Sequence, residues 1–145
     1  AYEIHGCLVG SEMCIRASNY TDITGLSATI TPKFNTIKIM VECHIYNSNS
    51  NAVNFFRVLR GSTFIEQPSG TSSSGAGFNA HGFAYFDHSF QDTTVIKILD
   101  SPATTSSTTY KVQMAVTGAT GTINKFYNTS NYYGISTIQL YEVSA

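Results

Sequence analysis

At 145 residues with a formal net charge of −1, the chain has the size of one domain around one core. Charged residues make up 12% of it, against roughly 25% in an ordinary soluble domain, and Ser, Thr and Asn fill the polar positions instead. The eight Lys and Arg are scattered, which excludes the clustered basic footprint of a nucleic-acid binder, and no apolar run approaches the ~20 residues of a membrane span, so neither nucleic acid nor membrane insertion is expected.

No stretch carries apolar residues at helical spacing, whereas β-branched and aromatic residues dominate throughout. The first expected strands are Glu3 to Val9 and Met13 to Ala17. If Gly10-Ser11 between them makes a type II′ turn, the hairpin register sets Leu8 opposite Met13 and Cys7 opposite Cys14. Directly opposed Cys can bridge, which makes this pair the candidate disulfide, although free Cys are common as small buried hydrophobes. With Cys43 the set is odd and lacks CxxC spacing, which argues against a structural zinc site.

Further strands are expected at Ile23 to Thr31, Thr36 to Asn47, Asn54 to Arg60, Thr63 to Gln67, Gly82 to Phe90 and Thr93 to Leu99, then Thr108 to Thr117, Thr122 to Tyr127 and Ser136 to Val143. Alternation is clearest from Lys38 to Tyr46, from Tyr110 to Val116 and from Ile138 to Val143, each placing one face in a core. Segments rich in Gly, Ser, Asn and Pro read as loops: Asn47 to Asn51, Pro68 to Gly77, Asp100 to Ser107 and Asn128 to Asn131. So many short strands at close spacing predict an all-β sandwich of two antiparallel sheets, spanning 1–145 as a single domain.

Catalytic patterns are sparse. There is no His-x-His, and His81 and His88 fall on opposite faces of one strand by parity, so no metal is expected. G-x-S-x-G is absent, and Asp22, Asp87, Asp92 and Asp100 stand where turn formers and caps stand. The chain reads as a non-enzyme without cofactors; a surface-acting hydrolase with paired Asp is the least supported reading. More informative are nine Tyr and nine Phe without Trp, set among Ser, Asn and Gly, the chemistry of surfaces that bind by stacking and adaptable hydrogen bonds. Phe126 to Gly134 concentrates it, making Tyr127, Asn128, Asn131, Tyr132 and Tyr133 the candidate receptor contacts, with the Pro68 to Gly77 loop second. The alternative is a hairpin whose Tyr pack on the sandwich edge or on a neighbouring subunit.

Five segments carry a resemblance. Tyr20 to Pro32, Lys38-Ile39 and Phe56 to Thr63, followed by Leu99 to Gln113 and the closing Ile135 to Val143, resemble in order a domain of tail-fibre and other virion structural proteins of bacteriophages, many of them marine. The resemblance covers roughly residues 15 to 143. It implies a jelly roll akin to the tumour-necrosis-factor and C1q heads, a homotrimer on the particle surface, and contacts with other virion proteins and a host-surface glycan or protein. Residues 1–14 have no counterpart and are expected as an extra hairpin or the exit from a fibre shaft. A purely structural capsid decoration, head-fibre or assembly role is the rival expectation.

Overall fold

The structure, a computed structural model, describes residues 4–9, 13–15, 19–67, 79–86, 90–126 and 132–144. These form eleven strands and no helix: β1 Ile4–Val9, β2 Met13–Ile15, β3 Thr21–Ile30, β4 Lys38–Asn49, β5 Ala52–Arg60, β6 Thr63–Phe64, β7 Gly82–Phe86, β8 Phe90–Asp100, β9 Thr108–Thr117, β10 Gly121–Ile123 and β11 Ser136–Val143. One sheet holds β1, β2, β4, β8, β10 and β11, the other β3, β5, β6, β7 and β9, and every pairing is antiparallel. The chain crosses between the sheets repeatedly, giving the two-layer, jelly-roll-type sandwich that the strand spacing predicts.

Alternation decides what is buried. On β4 the inward residues Ile39, Val41, Cys43 and Ile45 are fully buried, and they face Phe56, Val58, Tyr110, Val112 and Met114 of the second sheet in one core cluster. Strand β3 breaks parity, burying Ile23 and Leu26 three positions apart. Its register with β9 shifts between Asp22 and Ser27, and Gly25 at φ 82° supplies the backbone turn that such a bulge needs.

The expected opening hairpin is not formed. Strand β1 pairs with β11, placing Cys7 opposite Ile138, while β2 pairs with β10, placing Cys14 opposite Thr122. Both partners run antiparallel to β4, along the same edge of it, so β1 and β2 continue in one direction as two halves of an outer edge. Cys14 is an exposed free thiol and no Cys7–Cys14 disulfide forms. The physical reason is that a long ladder against β11 and β10 outcompetes a two-residue turn, because each ladder residue gains a backbone partner.

Strand ends also differ from expectation. Asn47, Ser48 and Asn49 are strand because Asp92, Gln91 and Phe90 pair with them, so β8 begins at Phe90 and not at Thr93. It also runs on through Asp100, opposite Ile39. The expected strand to Tyr127 closes at Ile123, where Asn124 turns at φ 60°. That to Gln67 closes at Phe64.

The two sheets are clasped at one end by polar groups. Asp100 of β8, 5% exposed, accepts from Arg60 Nη1 at 2.6 Å and from the hydroxyl of fully buried Tyr110 at 2.7 Å, linking one sheet to two strands of the other. Burial, with Asp100 second, pushes the Tyr110 hydroxyl far above its ordinary range and keeps it a donor.

Candidate functional site

At the opposite end of β8, the sheet terminates in an unusual run of buried amides and hydroxyls. Asn47, Ser48, Asn49, Asn54, Thr122, Asn124 and Ser136 are all buried, and each is tied to others. Asn54 donates to Asn47 Oδ1 at 2.9 Å and accepts from Asn49 Nδ2 at 2.7 Å, while Asn47 Nδ2 reaches Ile45 O and Thr94 Oγ1. The Ser48 and Thr122 hydroxyls lie 2.7 Å apart with Lys125 O within 3.0 Å of both, so one hydroxyl donates to the other, which in turn donates to that carbonyl. Among the described residues no buried side-chain nitrogen or oxygen lacks a partner, so this is a satisfied network, which rigidifies what sits above it.

What sits above it is the β10–β11 connection. Its arms are held by Phe126 N donating to Tyr132 O, by the Lys125–Tyr133 bridge and by Gly134 N donating to Asn124 O. Ser136 Oγ donates to Asn124 Oδ1 at 2.7 Å and accepts from Tyr46 N at 3.0 Å, locking the base of the connection to β4. Gly134 lies directly on the Tyr46 ring: a Cβ there would come within 2.1 Å of Tyr46 Cγ, so any side chain would lever the ring away. The Tyr46 hydroxyl in turn donates to Gln91 Oε1.

The result is an aromatic hollow of about 300 Å³ walled by Phe90, Gln91, Phe126 and Tyr132. The Phe126 and Tyr132 rings meet edge to face at 6.2 Å. Phe90 is 61% exposed, Tyr132 62% and Tyr133 59%, so large apolar surface is left in water on a fixed base. Of the sequence-derived contacts, Tyr132 and Tyr133 fall here; Tyr127, Asn128 and Asn131 lie outside the described residues, as does the Pro68 to Gly77 loop. Sequence reasoning missed Phe90, Gln91 and Tyr46, which reach the site only through the β4–β8 register.

Other chemistry is dispersed. Among the described residues no three His, Cys, Asp or Glu side chains come together as a metal site. Asp22 lies on the outer face of the second sheet, held below its ordinary carboxylate range by hydrogen bonds from Lys111 and Gln113. Asp92 caps Thr93 N and Asp100 belongs to the inter-sheet clasp, so these three carboxylates serve different partners; Asp87 and His88 lie outside the described residues.

His81 is structural in its bonding. Val58 N–H donates to Nδ1 at 2.9 Å, which fixes the Nε2–H tautomer donating to Ile65 O at 2.7 Å. Burial is the main cause holding its pKa below 6.5, hydrogen bonds to the Ile65 and Glu66 backbone opposing it. The folded state therefore binds its proton more weakly than the unfolded chain, so the His81 contribution is complete above pH ~6.5 and is lost as pH falls through the lower folded value. Urea midpoints measured from pH 7.5 to 5 are expected to fall for the native chain, and to fall less for His81→Gln.

Compared with known proteins, the chain matches no protein-family model and no curated protein.

Proposed function

We propose that this chain is a virion structural module of the fibre or knob type, a jelly roll akin to the tumour-necrosis-factor and C1q heads, acting in attachment to a host surface. The virion setting rests on the ordered sequence resemblance. The observation that carries attachment is the aromatic end: Phe90, Tyr132 and Tyr133 stay exposed above a fully bonded amide base, and binding groups on a rigid support lose less on engagement than groups on a loose one.

The trimer belongs to the same proposal and has its own support. On the second sheet Phe83 and Tyr85 are 66% and 64% exposed, and the Phe83 ring meets that of half-buried Phe55 at 6.3 Å in a tilted pair. On the first, Val95 and Leu99 flank Lys97 on the outward face of β8. Such faces are natural subunit contacts. They also favour the second reading, a decoration or assembly protein in which every exposed aromatic is an interface.

Two measurements test this. Light scattering on a sizing column is expected to give three times the 15.8 kDa chain mass, and a stable monomer counts against the knob. Fluorescently labelled protein is expected to adsorb saturably to some members of a panel of marine bacteria. A correct trimer that adsorbs to none of them favours the decoration reading.

A further inference from the structure

We infer that the hollow between Phe90, Gln91, Phe126 and Tyr132 is a subsite for one neutral pyranose ring of a surface glycan; this rests on the attachment reading and names its ligand.

The size and lining of the hollow suit a single ring. Its volume of about 300 Å³ sits at the lower end of the ~300–1,000 Å³ of ligand pockets, a space for one ring and not for a chain. Of the described residues that line it, three are aromatic and one is an amide. A pyranose has the matching make-up, with a face of C–H groups that packs on aromatic rings and a rim of hydroxyls that needs fixed polar partners.

Gln91 supplies the fixed partner. Its Oε1 is already taken by the Tyr46 hydroxyl, which sets the orientation of the amide, and its Nε2 has no partner among the described residues. An outward N–H₂ donor therefore stands beside the rings. Tyr46 is itself held by Ser136, Asn124 and Gly134, so the donor's position traces back to the buried amide base. Gln91 is exposed, and its hydrogen bond to Tyr46 is what ties its amide to that base.

The same lining discriminates. Among the described residues lining the hollow none is charged, so a carboxylated sugar would gain no ion pair from them. An apolar peptide side chain would cover the rings but leave the Gln91 N–H₂ desolvated without an acceptor, a penalty that a hydroxyl-bearing ligand avoids. Affinity for one ring alone is expected on the order of millimolar, because so small a ligand buries little surface. Useful binding then comes from several copies of the site engaging one surface.

The test is saturation-transfer NMR on the intact chain with methyl α-mannopyranoside, methyl β-galactopyranoside and methyl N-acetyl-β-glucosaminide, alongside N-acetylneuraminic acid and N-acetylphenylalanine amide. Transfer to the ring protons of at least one neutral glycoside is expected. Tyr132→Ala should weaken the titration on the order of tenfold. Gln91→Ala should weaken it several-fold, and Phe34→Ala, at an exposed aromatic outside both the hollow and the proposed subunit faces, should leave it unchanged. Far-UV circular dichroism and thermal midpoints establish that each variant is folded. The inference is overturned if no neutral glycoside shows transfer, if Tyr132→Ala binds as well as the native chain, or if only the acidic sugar or only the aromatic amide binds. Cell adsorption separates the two readings: adsorption without any glycoside signal sinks the sugar subsite and leaves attachment standing, whereas a chain that adsorbs to no cell removes attachment itself.

Discussion

Replacing Asn54 by Ala is expected to lower the unfolding free energy by about 3–5 kcal/mol, a large share of the ~5–15 kcal/mol that holds a domain of this size. The reason is the number of groups stranded. Asn54 donates to Asn47 Oδ1 and to Ser48 O, and it accepts from Asn49 Nδ2. Asn47 and Asn49 are fully buried, so after truncation Asn47 Oδ1 and Asn49 Nδ2 are left without water and without each other. Each orphan costs ~1–3 kcal/mol, and the two are linked through the same side chain, so they fall together. Asn54→Leu, which keeps the γ-branched shape in a larger side chain and strands the same groups, is expected to cost at least as much; a near-neutral Leu variant would show that packing and not hydrogen bonding is what Asn54 supplies. Urea unfolding reads both, with a lowered midpoint at an unchanged slope.

The consequence reaches the aromatic hollow. Gly121 sits so close that a Cβ there would meet Met114 Cε at 2.3 Å and Asn54 Oδ1 at 2.6 Å, so β10 is pressed directly against the amide cluster. Thr122 of the same strand shares the Ser48 hydroxyl and carries the chain into the arm that presents Phe126. Loosening Asn54 is therefore expected to weaken glycoside binding as well, although Asn54 is not among the residues lining the hollow.

Much of this architecture was legible from the residues. Alternation in Lys38 to Tyr46 and Tyr110 to Val116 is strong because those strands have one core face and one outer face, and a period of two is the direct signature of that. The reading failed where polar residues are buried. Asn47 to Asn49 and Asp100 carry the chemistry of turns, and taken locally they are turns; only the pairing with β8 and the contact with Arg60 and Tyr110 make them strand. The Gly10-Ser11 hairpin failed for a related reason, since turn chemistry is local and the β11 and β10 edges that capture β1 and β2 lie more than a hundred residues away. In the site, the density of Tyr and Asn pointed to Tyr132 and Tyr133, but nothing near Phe90 and Gln91 in sequence marks them, because a register across β4 brings them there.

At the far end of the same strand, Asp100→Ala is expected to cost about 2–4 kcal/mol while leaving glycoside binding intact. The carboxylate is 5% exposed and serves two donors from the opposite sheet. Breaking a buried pair costs ~3–5 kcal/mol when the remaining charge is trapped, but the Arg60 side chain is 30% exposed and recovers part of its hydration, which lowers the figure. Tyr110 has no such relief: it is fully buried, and its hydroxyl loses the only acceptor that the fold gives it among the described residues. Arg60 and Tyr110 both donate to the same oxygen, Oδ2, so Asp100→Asn with its amide oxygen in that place keeps both hydrogen bonds, loses the charge, and is expected to cost less than Ala. Tyr110→Phe removes the stranded hydroxyl, so the double variant with Asp100→Ala should be less destabilised than the sum of the single ones, by about 1 kcal/mol of coupling. Strict additivity would mean that Tyr110 and Asp100 do not act as a unit. Phe90 and Asp100 stand at opposite ends of β8, ten residue steps of ~3.3 Å apart, so the two ends of the sandwich are separable by measurement: Asn54→Ala moves stability and binding together, and Asp100→Ala moves stability alone.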